Sequence, residues 1–316
     1  MILITGGMGF IGLHTARRFL DAGEDVVITR YNAWREPNFI KEEYGKRVHV
    51  ERVDITSAHE VIDLVRKHKV TGIVHLAVPG LAALSAAEDY RVNMQGLINI
   101  LEAGRLNEVK RISLASSVAI YGSLPGGPFT EDAYLPMEAG GNPTEVFKKS
   151  FELLGQHYAT RTGMDIVSLR IGGIYGPLYH SMANLPSRMC HAAVKGEETD
   201  LSSARGGTPF EEDGGDSCYV KDCALGIQLV HMAEKLEHKV YNVSGGQSVT
   251  NGDILAAVKK VIPDAKITLQ SGRGPRWRPN TYCDLTRIRE ELGYEPKFNI
   301  DSAIADYIGW LRSNSQ

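Results

Sequence analysis

The stretch that decides the fold reads Thr5-Gly6-Gly7-Met8-Gly9-Phe10-Ile11-Gly12. An apolar run over residues 1–5 precedes it, which is typical of a buried strand. Residues 10–22 follow with apolar side chains at helical spacing, and Gly23 is placed to end that helix. The amino terminus is therefore predicted to form a strand, a tight turn and a helix.

The same alternation continues through the first half of the chain. We predict strands at 26–29, 48–53, 72–77, 111–115 and 166–170, and helices at 57–68, 90–104 and 145–162. Such alternation is typical of parallel strands with helices on both faces. The prediction is an α/β fold, a Rossmann-type doubly wound parallel sheet.

The second half is less regular, and beyond Gly176-Pro177 the pattern loosens into loop-rich sequence. Residues 202–215 are glycine-rich and polar, which indicates a surface loop. Strand and helix character returns over 219–234 and 240–243, and residues 251–311 are predicted as two helices around a strand at 266–269. This half is expected to form a smaller lobe interleaved with the sheet.

Composition excludes several classes of protein. The chain has 316 residues, 43% of them hydrophobic, so it can bury a core and is not predicted to be disordered. A net charge of −3 without a basic block argues against a nucleic-acid partner. Four cysteines lack C-x-x-C spacing and no residues have metal-site spacing, so we predict reduced thiols and no metal. Without an apolar run of about 20 residues or room for a signal peptide before the first strand, we predict a cytoplasmic protein with no membrane partner.

The glycines of the turn point to a phosphate ligand. The absence of side chains at Gly6, Gly9 and Gly12 lets the backbone approach a pyrophosphate, whose charge meets the free N–H groups of the helix beginning at Phe10 and Ile11. The prediction is a nicotinamide dinucleotide, NAD or NADP, in this turn. The alternative is a tight turn in an α/β protein that binds no nucleotide.

The ends of the next strands bear on which dinucleotide is bound. An acidic residue usually ends the second strand and binds the adenosine ribose of NAD, but here the residue is Arg30, which suits a 2′-phosphate and favours NADP. The alternative is a surface arginine, with Arg35 or backbone groups completing an NAD site. Asp54, followed by Ile55, has the position of an adenine contact, or else caps the following helix.

Further motifs extend this pattern to nearly the whole chain. They are Asp54-Ile55, Ile73-Val74-His75-Leu76-Ala77, Asn93 with Gly96 and Asn99, Ser116-Ser117-Val118-Ala119-Ile120-Tyr121-Gly122, Leu169-Arg170, Ile174-Tyr175-Gly176-Pro177, Tyr219-Val220-Lys221-Asp222, Asp284, and Leu292-Gly293-Tyr294-Glu295-Pro296. In this order they resemble an extended short-chain dehydrogenase/reductase of the NAD(P)-dependent epimerase/dehydratase family. The resemblance implies cofactor contacts at Leu76 and Ala77. The strand and helix pattern, which loosens after about residue 170, predicts a dinucleotide-binding domain of residues 1–172 with about 216–244, and a substrate-binding lobe of 173–215 and 245–316.

The resemblance also locates the candidate catalytic residues. Members of the family typically pair a serine with a tyrosine and a lysine four residues after the tyrosine. Ser117 matches the serine, and Lys148 matches the lysine, which also binds the nicotinamide ribose. Structural roles, a strand-end serine and a solvated helix lysine, are the alternatives. The expected tyrosine position is Thr144.

Thr144 changes the chemistry expected at this site. A phenol with a pKa near ~10 can be brought toward neutrality by an ammonium group, but an aliphatic hydroxyl cannot. Thr144 is therefore predicted to relay a proton to another group. The local candidates are Tyr121, Glu145, Tyr175, His180, and Lys148 itself if burial lowers its pKa.

The substrate side departs from the family pattern as well. Gly215 stands where sugar-nucleotide epimerases often carry an arginine. Asn184 resembles their nucleotide-side asparagine, and Arg273 or Arg276, near Trp277 and Arg278, is placed to bind an anion. That cluster is otherwise an ordinary basic surface loop. A sugar nucleotide is predicted, and a smaller oxygenated substrate with one carboxylate or phosphate is the competitor.

These observations predict an enzyme that transfers hydride at a carbinol carbon. The alternatives are a dinucleotide-binding regulatory protein without redox chemistry, and a redox-neutral lyase or isomerase with a structural cofactor. By resemblance, a homodimer is expected through the helices at 90–104 and 145–162.

Overall fold

A computed structural model describes residues 1–78, 84–138, 142–201, 209–275 and 277–314. Its first half contains β1 (Ile2–Thr5), α1 (Phe10–Asp21), β2 (Val26–Arg30), β3 (Val48–Arg52), α2 (Ala58–Lys67), β4 (Gly72–His75), α3 (Ala86–Leu106), β5 (Arg111–Ser117), α4 (Pro143–Thr162) and β6 (Asp165–Ile171). Its second half contains β7 (Gly173–Tyr175), α5 (Leu185–Lys195), β8 (Gly214–Tyr219), α6 (Val220–Met232), β9 (Val240–Val243), β10 (Ser248–Thr250), α7 (Asn251–Val261), α8 (Thr286–Leu292) and α9 (Ile300–Ser313).

The main sheet has seven strands in the order β3-β2-β1-β4-β5-β6-β9, and every pairing in it is parallel. After β1 the chain adds β2 and β3 on one side of that strand, and then β4, β5, β6 and β9 on its other side. The strand order therefore reverses between β1 and β4. Ligands of such sheets bind outside the carboxyl ends of the strands at this reversal. The predicted Rossmann-type fold is confirmed.

Both faces of the sheet are covered, as the apolar strands require. Leu3 and Ile4, neighbours on β1, are completely buried in two different apolar clusters, one on each side of the sheet. Leu3 packs with the cluster that includes Val65 and Leu97 of α2 and α3, and Ile4 with the cluster that includes Leu13 of α1. Helices on both faces therefore hold the strand ends in fixed positions.

A second, three-stranded sheet, in the order β10-β8-β7, was missed by the sequence patterns. β8 begins inside the predicted loop at 202–215, of which residues 202–208 lie outside the described part. Its first residue must be glycine, because a Cβ on Gly214 would lie 2.3 Å from the carbonyl oxygen of Val249 on the paired strand. A glycine-rich strand shows none of the usual β-rich composition.

Two other predictions for the second half are wrong. Helix α5 lies where irregular sequence was expected, although Asn184 caps it, Pro186 stands in its first turn and Gly196 ends it in the left-handed conformation. Residues 266–269 form no strand. Ile267 and Leu269 are buried as the alternation suggested. Their segment makes only isolated backbone contacts with loops: the amide of Thr199 donates to the carbonyl oxygen of Lys266 over 3.1 Å, and Gln270 bridges to Phe210.

In the described part of the chain, no helix combines the length and the apolar character needed to cross a membrane. The division into a dinucleotide-binding domain and a substrate-binding lobe stays a prediction. In the structure, β9 joins the main sheet, while β8 belongs to the second sheet.

Candidate active site

The turn after β1 leaves no room for side chains. Gly6 has a φ of +63°, and a Cβ there would lie 3.0 Å from the backbone of Ala77 at the end of β4. A Cβ on Gly12 would lie 2.5 Å from the carbonyl oxygen of Gly6, so α1 starts directly against the turn. The turn is therefore a cradle of bare backbone.

Gly7 is a further member of this cradle that the sequence analysis did not select. A Cβ at Gly7 would lie 2.5 Å from the Cβ of Ile28 on β2. The doubled glycine Gly6-Gly7 was the available signal. Its role is to let the turn pass close over the neighbouring strand.

Helix α1 begins without a side-chain cap. Gly9 is its N-cap residue, no side chain accepts a hydrogen bond from its first turn, and that turn contains no acidic residue. The N–H groups of Phe10, Ile11 and Gly12 thus face the cradle with the positive end of the helix dipole behind them. A pyrophosphate fits this arrangement by charge and by space.

The end of β4 closes the cradle on one side. The amide N of Leu76 donates to the carbonyl oxygen of Thr5 over 3.3 Å, and the amide N of Ala77 to the Thr5 hydroxyl, also over 3.3 Å. The same hydroxyl lies 2.7 Å from Nδ1 of His75. Leu76 and Ala77 therefore stand beside the turn, where the resemblance put them.

The residues expected near the adenosine lie at the ends of β2 and β3. The guanidinium of Arg30 stacks over the ring of Trp34, with its Cζ 5.4 Å from the ring centroid. The Asp54 carboxylate accepts from the amide and hydroxyl of Thr56, at 2.9 and 2.8 Å, and Ser57, not Asp54, caps α2. Ile55 is buried. The cofactor roles of Arg30, Asp54 and Ile55 stay predictions.

Ser117, the last residue of β5, opens onto a cleft of about 630 Å³. Its Oγ accepts a hydrogen bond from the amide of Ala119 over 3.1 Å, which leaves the hydroxyl hydrogen available to a ligand. Gly122 and Asn142 from the first half of the chain and Gly214 and Trp277 from the second half also line the cleft. The cleft therefore lies between the carboxyl edge of the main sheet and the second half of the chain.

Helix α4 carries Thr144 and Lys148 one turn apart, on the same face. The amide of Thr144 donates to the side chain of Asn142 over 3.0 Å, which caps the helix. Lys148 is buried, its Nζ donates to the carbonyl oxygen of Ala115, and it lies 4.9 Å from the ring centroid of Phe151. Burial lowers the pKa of Lys148 to about 7, although the carboxylate of Glu152 opposes the shift.

The tyrosine candidates for the missing base are ruled out by their surroundings. The hydroxyl of Tyr121 donates to Oδ1 of Asn242 over 2.9 Å and accepts from Nη1 of Arg170 over 2.8 Å. Burial raises the pKa of Tyr121, and burial likewise raises that of Tyr175. Neither phenol can give up its proton near neutral pH.

The other two candidates are engaged in side-chain contacts. The Glu145 carboxylate is buried and accepts from Nζ of Lys149 over 2.7 Å and from the Ser123 hydroxyl over 2.8 Å. His180 accepts from Nε of Arg35 over 2.8 Å, and burial together with that guanidinium lowers its pKa. Of the candidates, Lys148 alone combines the matching position with a pKa near neutrality.

The predicted substrate residues are spread out. Oδ1 of Asn184 accepts from the amide of Ser187 over 2.8 Å, and its Nδ2 donates to the carbonyl of Ile174, so this side chain holds α5 in place. Arg273 pairs with Glu212 over 2.8 Å and stacks at 4.0 Å on Trp277. Arg276 lies outside the described residues. Their substrate roles stay predictions.

Arg278, which the sequence analysis placed only in the surrounding cluster, lines the cleft. Its Nη1 donates to the carbonyl oxygens of Gly122, over 2.9 Å, and Leu124, over 2.7 Å. These contacts tie the second half of the chain to the loop after Ser117. No local sequence signal separates Arg278 from its basic neighbours, because the distinction depends on this long-range contact.

Comparison with known proteins gives consistent results. The profile of the NAD dependent epimerase/dehydratase family matches residues 2–244. The UDP-glucose 4-epimerase of Lactobacillus helveticus is 26% identical over 332 residues, which cover 99% of this chain and 97% of that protein. The dTDP-glucose 4,6-dehydratase of Streptomyces griseus is 26% identical over 326 residues, with 99% and 94% covered. The crystal structure of the Thermus thermophilus UDP-glucose 4-epimerase complex with NAD is 26% identical and superposes with a TM-score of 0.79, covering 98% of this chain and 97% of that one.

Proposed function

The chain belongs to the NAD-dependent epimerase/dehydratase family and is an enzyme of the extended short-chain dehydrogenase/reductase type, and from this premise we propose that it oxidises and reduces a hydroxyl-bearing carbon of a sugar nucleotide. One observation carries the proposal. The bare first turn of α1 and the Ser117 hydroxyl lie at the same carboxyl edge of the sheet, and the 630 Å³ cleft opens at Ser117.

The residues of the cradle would hold NAD. The amides at the start of α1 would bind the pyrophosphate, while Gly6, Gly9 and Ala77 leave the space it needs. The chemistry supplied by bound NAD is the uptake of hydride from a carbinol carbon and its return. Lys148 would bind the nicotinamide ribose, as the resemblance implies.

Side chains of the protein must remove the proton from the substrate hydroxyl group. Ser117 donates its free hydroxyl hydrogen to the substrate oxygen and so orients it. Thr144 passes the proton along the shared helix face to Lys148, which is neutral for part of the time at pH 7 because burial has lowered its pKa to about 7. Lys148 thereby replaces the tyrosinate as the group that accepts the proton.

The test is Thr144→Tyr, assayed against a panel of sugar nucleotides with NAD. If Thr144 replaces a catalytic tyrosine, the variant turns over the same substrate at least about tenfold faster than the wild type. A wild type that binds no NAD by calorimetry would refute the proposal. Equal rates in both proteins would mean that Thr144 does not stand on the proton path.

One observation favours a second candidate function. With Thr144 in place of the phenol, the chain would still bind NAD but would no longer catalyse redox chemistry, and would act as a dinucleotide-binding regulatory protein. Wild type and Lys148→Met would then both bind NAD, neither would turn over any sugar nucleotide, and Thr144→Tyr would gain activity. Product formation by the wild type would show that the protein is an enzyme and would exclude the purely regulatory role.

For the dinucleotide we assign NAD over NADP. The lean toward NADP that Arg30 suggests finds no support among the relatives, one of which was solved with NAD. The Arg30 guanidinium is already stacked on Trp34. Calorimetry with both dinucleotides is expected to show tighter NAD binding, and NADP binding that weakens about tenfold in Arg30→Gln would reverse the assignment.

Arg278 is our candidate for the anion of the substrate. Two of its hydrogen bonds to backbone carbonyls use Nη1, and among the described residues Nε and Nη2 have no acceptor. A guanidinium held in this way suits a phosphate at the mouth of the cleft. Arg278→Met is expected to raise KM for a sugar nucleotide more than it lowers kcat.

We also propose a homodimer through α3 and α4. Large apolar side chains on these helices are exposed, among them Tyr90 at 60% and Leu153 at 57%. Burying such a face against a second copy would be favourable. Sedimentation velocity should show a dimer that Leu153→Asp dissociates, whereas the control Met232→Asp on α6 leaves it intact.

A further inference from the structure

A second cavity, of about 410 Å³, lies beside α1 on the side that packs against α6. It shares no lining residue with the cleft at Ser117. Helices α1, α6 and α9 and the loop at Asn38 and Phe39 enclose it. Its size is that of a pocket for a small organic ligand.

The walls of this cavity are largely aromatic and apolar. Phe39 stacks on His14 with ring centroids 4.8 Å apart and an angle of 24° between the planes. Phe298 and Trp310 line the opposite side, together with Leu225. Burial lowers the pKa of His14 to about 4, so this ring is neutral at pH 7 and adds no charge.

The charges around the cavity are unevenly distributed. Four basic side chains line it, and two of them are neutralised by close carboxylates: Arg17 by Asp21 at 2.7 Å and Lys221 by Asp306 at 2.8 Å. The other two, Arg18 and Lys297, form no ion pair within the described residues. Both lie close enough to the Asp222 carboxylate to lower its pKa, although burial raises that pKa overall.

Asp222 cannot satisfy both of these cations. Its two oxygens accept hydrogen bonds from the backbone amides of Lys297, over 2.9 Å, and Phe298, over 3.0 Å. Glu43 also lies 3.9 Å from Arg17, so the carboxylates in and around the cavity equal its four basic side chains in number, and the surplus of positive charge is local, at Arg18 and Lys297. A small anionic group placed beside Arg18 and Lys297 is therefore favoured.

Arg18, which lines the cavity, also has an unsatisfied donor. Its Nη2 donates to the neutral side chain of Gln228 over 3.2 Å, while its Nε is buried and has no acceptor in the described structure. A buried donor without an acceptor is costly, and an anion in the cavity would remove that cost.

From these observations we propose that the cavity is a binding site for an aromatic monoanion, whose ring packs among Phe39, Phe298 and Trp310 and whose carboxylate, sulfonate or phosphate group accepts from Arg18. The site is independent of the dinucleotide turn and of the proposed reaction. It assigns a function to a pocket that the chemistry of the main cleft does not use.

The test compares two fluorescent probes that differ in charge. The anion 8-anilino-1-naphthalenesulfonate is titrated into the full chain saturated with NAD, and the neutral N-phenyl-1-naphthylamine is titrated in parallel. We expect the anion to bind at one site in the presence of NAD. Arg18→Met should weaken it at least about tenfold and change the neutral probe less than about twofold.

Two further variants serve as a control and as a substitute for Arg18→Met. Arg66→Met removes an exposed arginine from α2 and should leave both titrations unchanged. If thermal denaturation shows that Arg18→Met is unfolded, Lys297→Met, at an exposed position, should weaken the anion about threefold. Displacement of the probe by NAD, an equal loss of both probes, or no response to Arg18→Met or its substitute would overturn the proposal.

Discussion

Helices α1 and α4 both begin at the carboxyl edge of the main sheet, yet their first turns are built in opposite ways. The first turn of α1 has no side-chain cap and no acidic residue. The first turn of α4 is capped by Asn142 and contains the buried carboxylate of Glu145, which pairs with Lys149. One helix start leaves its amides for an external anion, and the other satisfies its own.

The difference separates binding from chemistry. Because the amides of α1 have no internal partner, their positive potential is directed into the glycine cradle. Because the amide of Thr144 is already bonded, α4 can act only through its side chains, Thr144 and Lys148. The first region has the glycine turn that the sequence predicted, and in the second Thr144 stands where the resemblance led us to expect a tyrosine.

The largest expected effect on binding comes from filling the cradle. Gly12→Val places side-chain atoms against the carbonyl oxygen of Gly6, where a Cβ alone would lie 2.5 Å away. We expect NAD affinity to fall at least about 100-fold and stability to fall by about 1–3 kcal/mol. Calorimetry measures the first and thermal denaturation the second.

The matched control for this substitution is Gly309→Val. Gly309 is exposed on α9, and a Cβ there meets nothing within 4 Å. NAD binding should be unchanged in this variant. If Gly12→Val bound NAD within about threefold of the wild type, the cradle would not be the dinucleotide site.

The next effect concerns Lys148 on α4. Lys148→Met should lower kcat/KM by about 10²–10⁴, because the proton acceptor is lost. In the wild type, activity should rise with pH through a limb near 7, where the amine loses its proton, and the variant should lack that limb. Lys67→Met, at an exposed surface ion pair, serves as the control and should keep both rate and pH profile.

The lowered pKa of Lys148 should also change how the stability of the protein depends on pH. Its pKa is about 7 in the folded chain and 10.5 ordinarily, so between these values the unfolded state binds more protons. Stability contributed at this site therefore rises from about pH 7 to pH 10.5 and is lowest below pH 7. Between about pH 7 and pH 10.5, the free energy of unfolding of the wild type should therefore increase relative to that of Lys148→Met. A difference between the two proteins that does not change with pH would contradict the lowered pKa.

The fold of the first half could be predicted because each of its strands and helices has a local signal. Predicted strand starts such as 26, 48 and 111 agree with the structure, since buried parallel strands are short apolar runs between turn residues. β8 could not be predicted in this way. Its first residue, Gly214, has no room for a side chain beside Val249 on β10, and that requirement appears only when the strands are paired.

Some features of the site could likewise be predicted from the sequence, and others could not. The cradle was predicted from spacing, because bare backbone is encoded directly as glycine. The lowered pKa of Lys148 depends on packing against β5 and Phe151, and the position of Arg278 in the cleft depends on a contact 154 residues away at Leu124. Burial and long-range contact have no local sequence signature, so neither could be read from the sequence.

A charge added to the first turn of α1 tests why that turn is bare. Phe10→Glu should weaken NAD about tenfold relative to Phe10→Gln, because the carboxylate opposes the pyrophosphate. Without NAD, the order should reverse, with the Glu variant more stable by about 0.3–1 kcal/mol through its interaction with the helix dipole. Both variants lose the contact of Phe10 with Tyr179, so their difference isolates the charge. Equal NAD affinities would mean that the turn does not face the pyrophosphate.

The smallest expected effect comes from removing the cap of α4. Asn142→Ala should lower stability by about 1 kcal/mol, and NAD affinity should stay within about twofold of the wild type, because α1 is untouched. Turnover should also fall a few-fold, since the cap holds the backbone of Thr144. Asn299→Ala removes a similar cap, on α9, where the side chain accepts from the amide of Ser302 over 2.9 Å. An equal loss of turnover in this control would trace the effect to general stability, and unchanged turnover in Asn142→Ala would mean that the capped start of α4 only stabilises the fold, while the bare start of α1 alone serves the ligand.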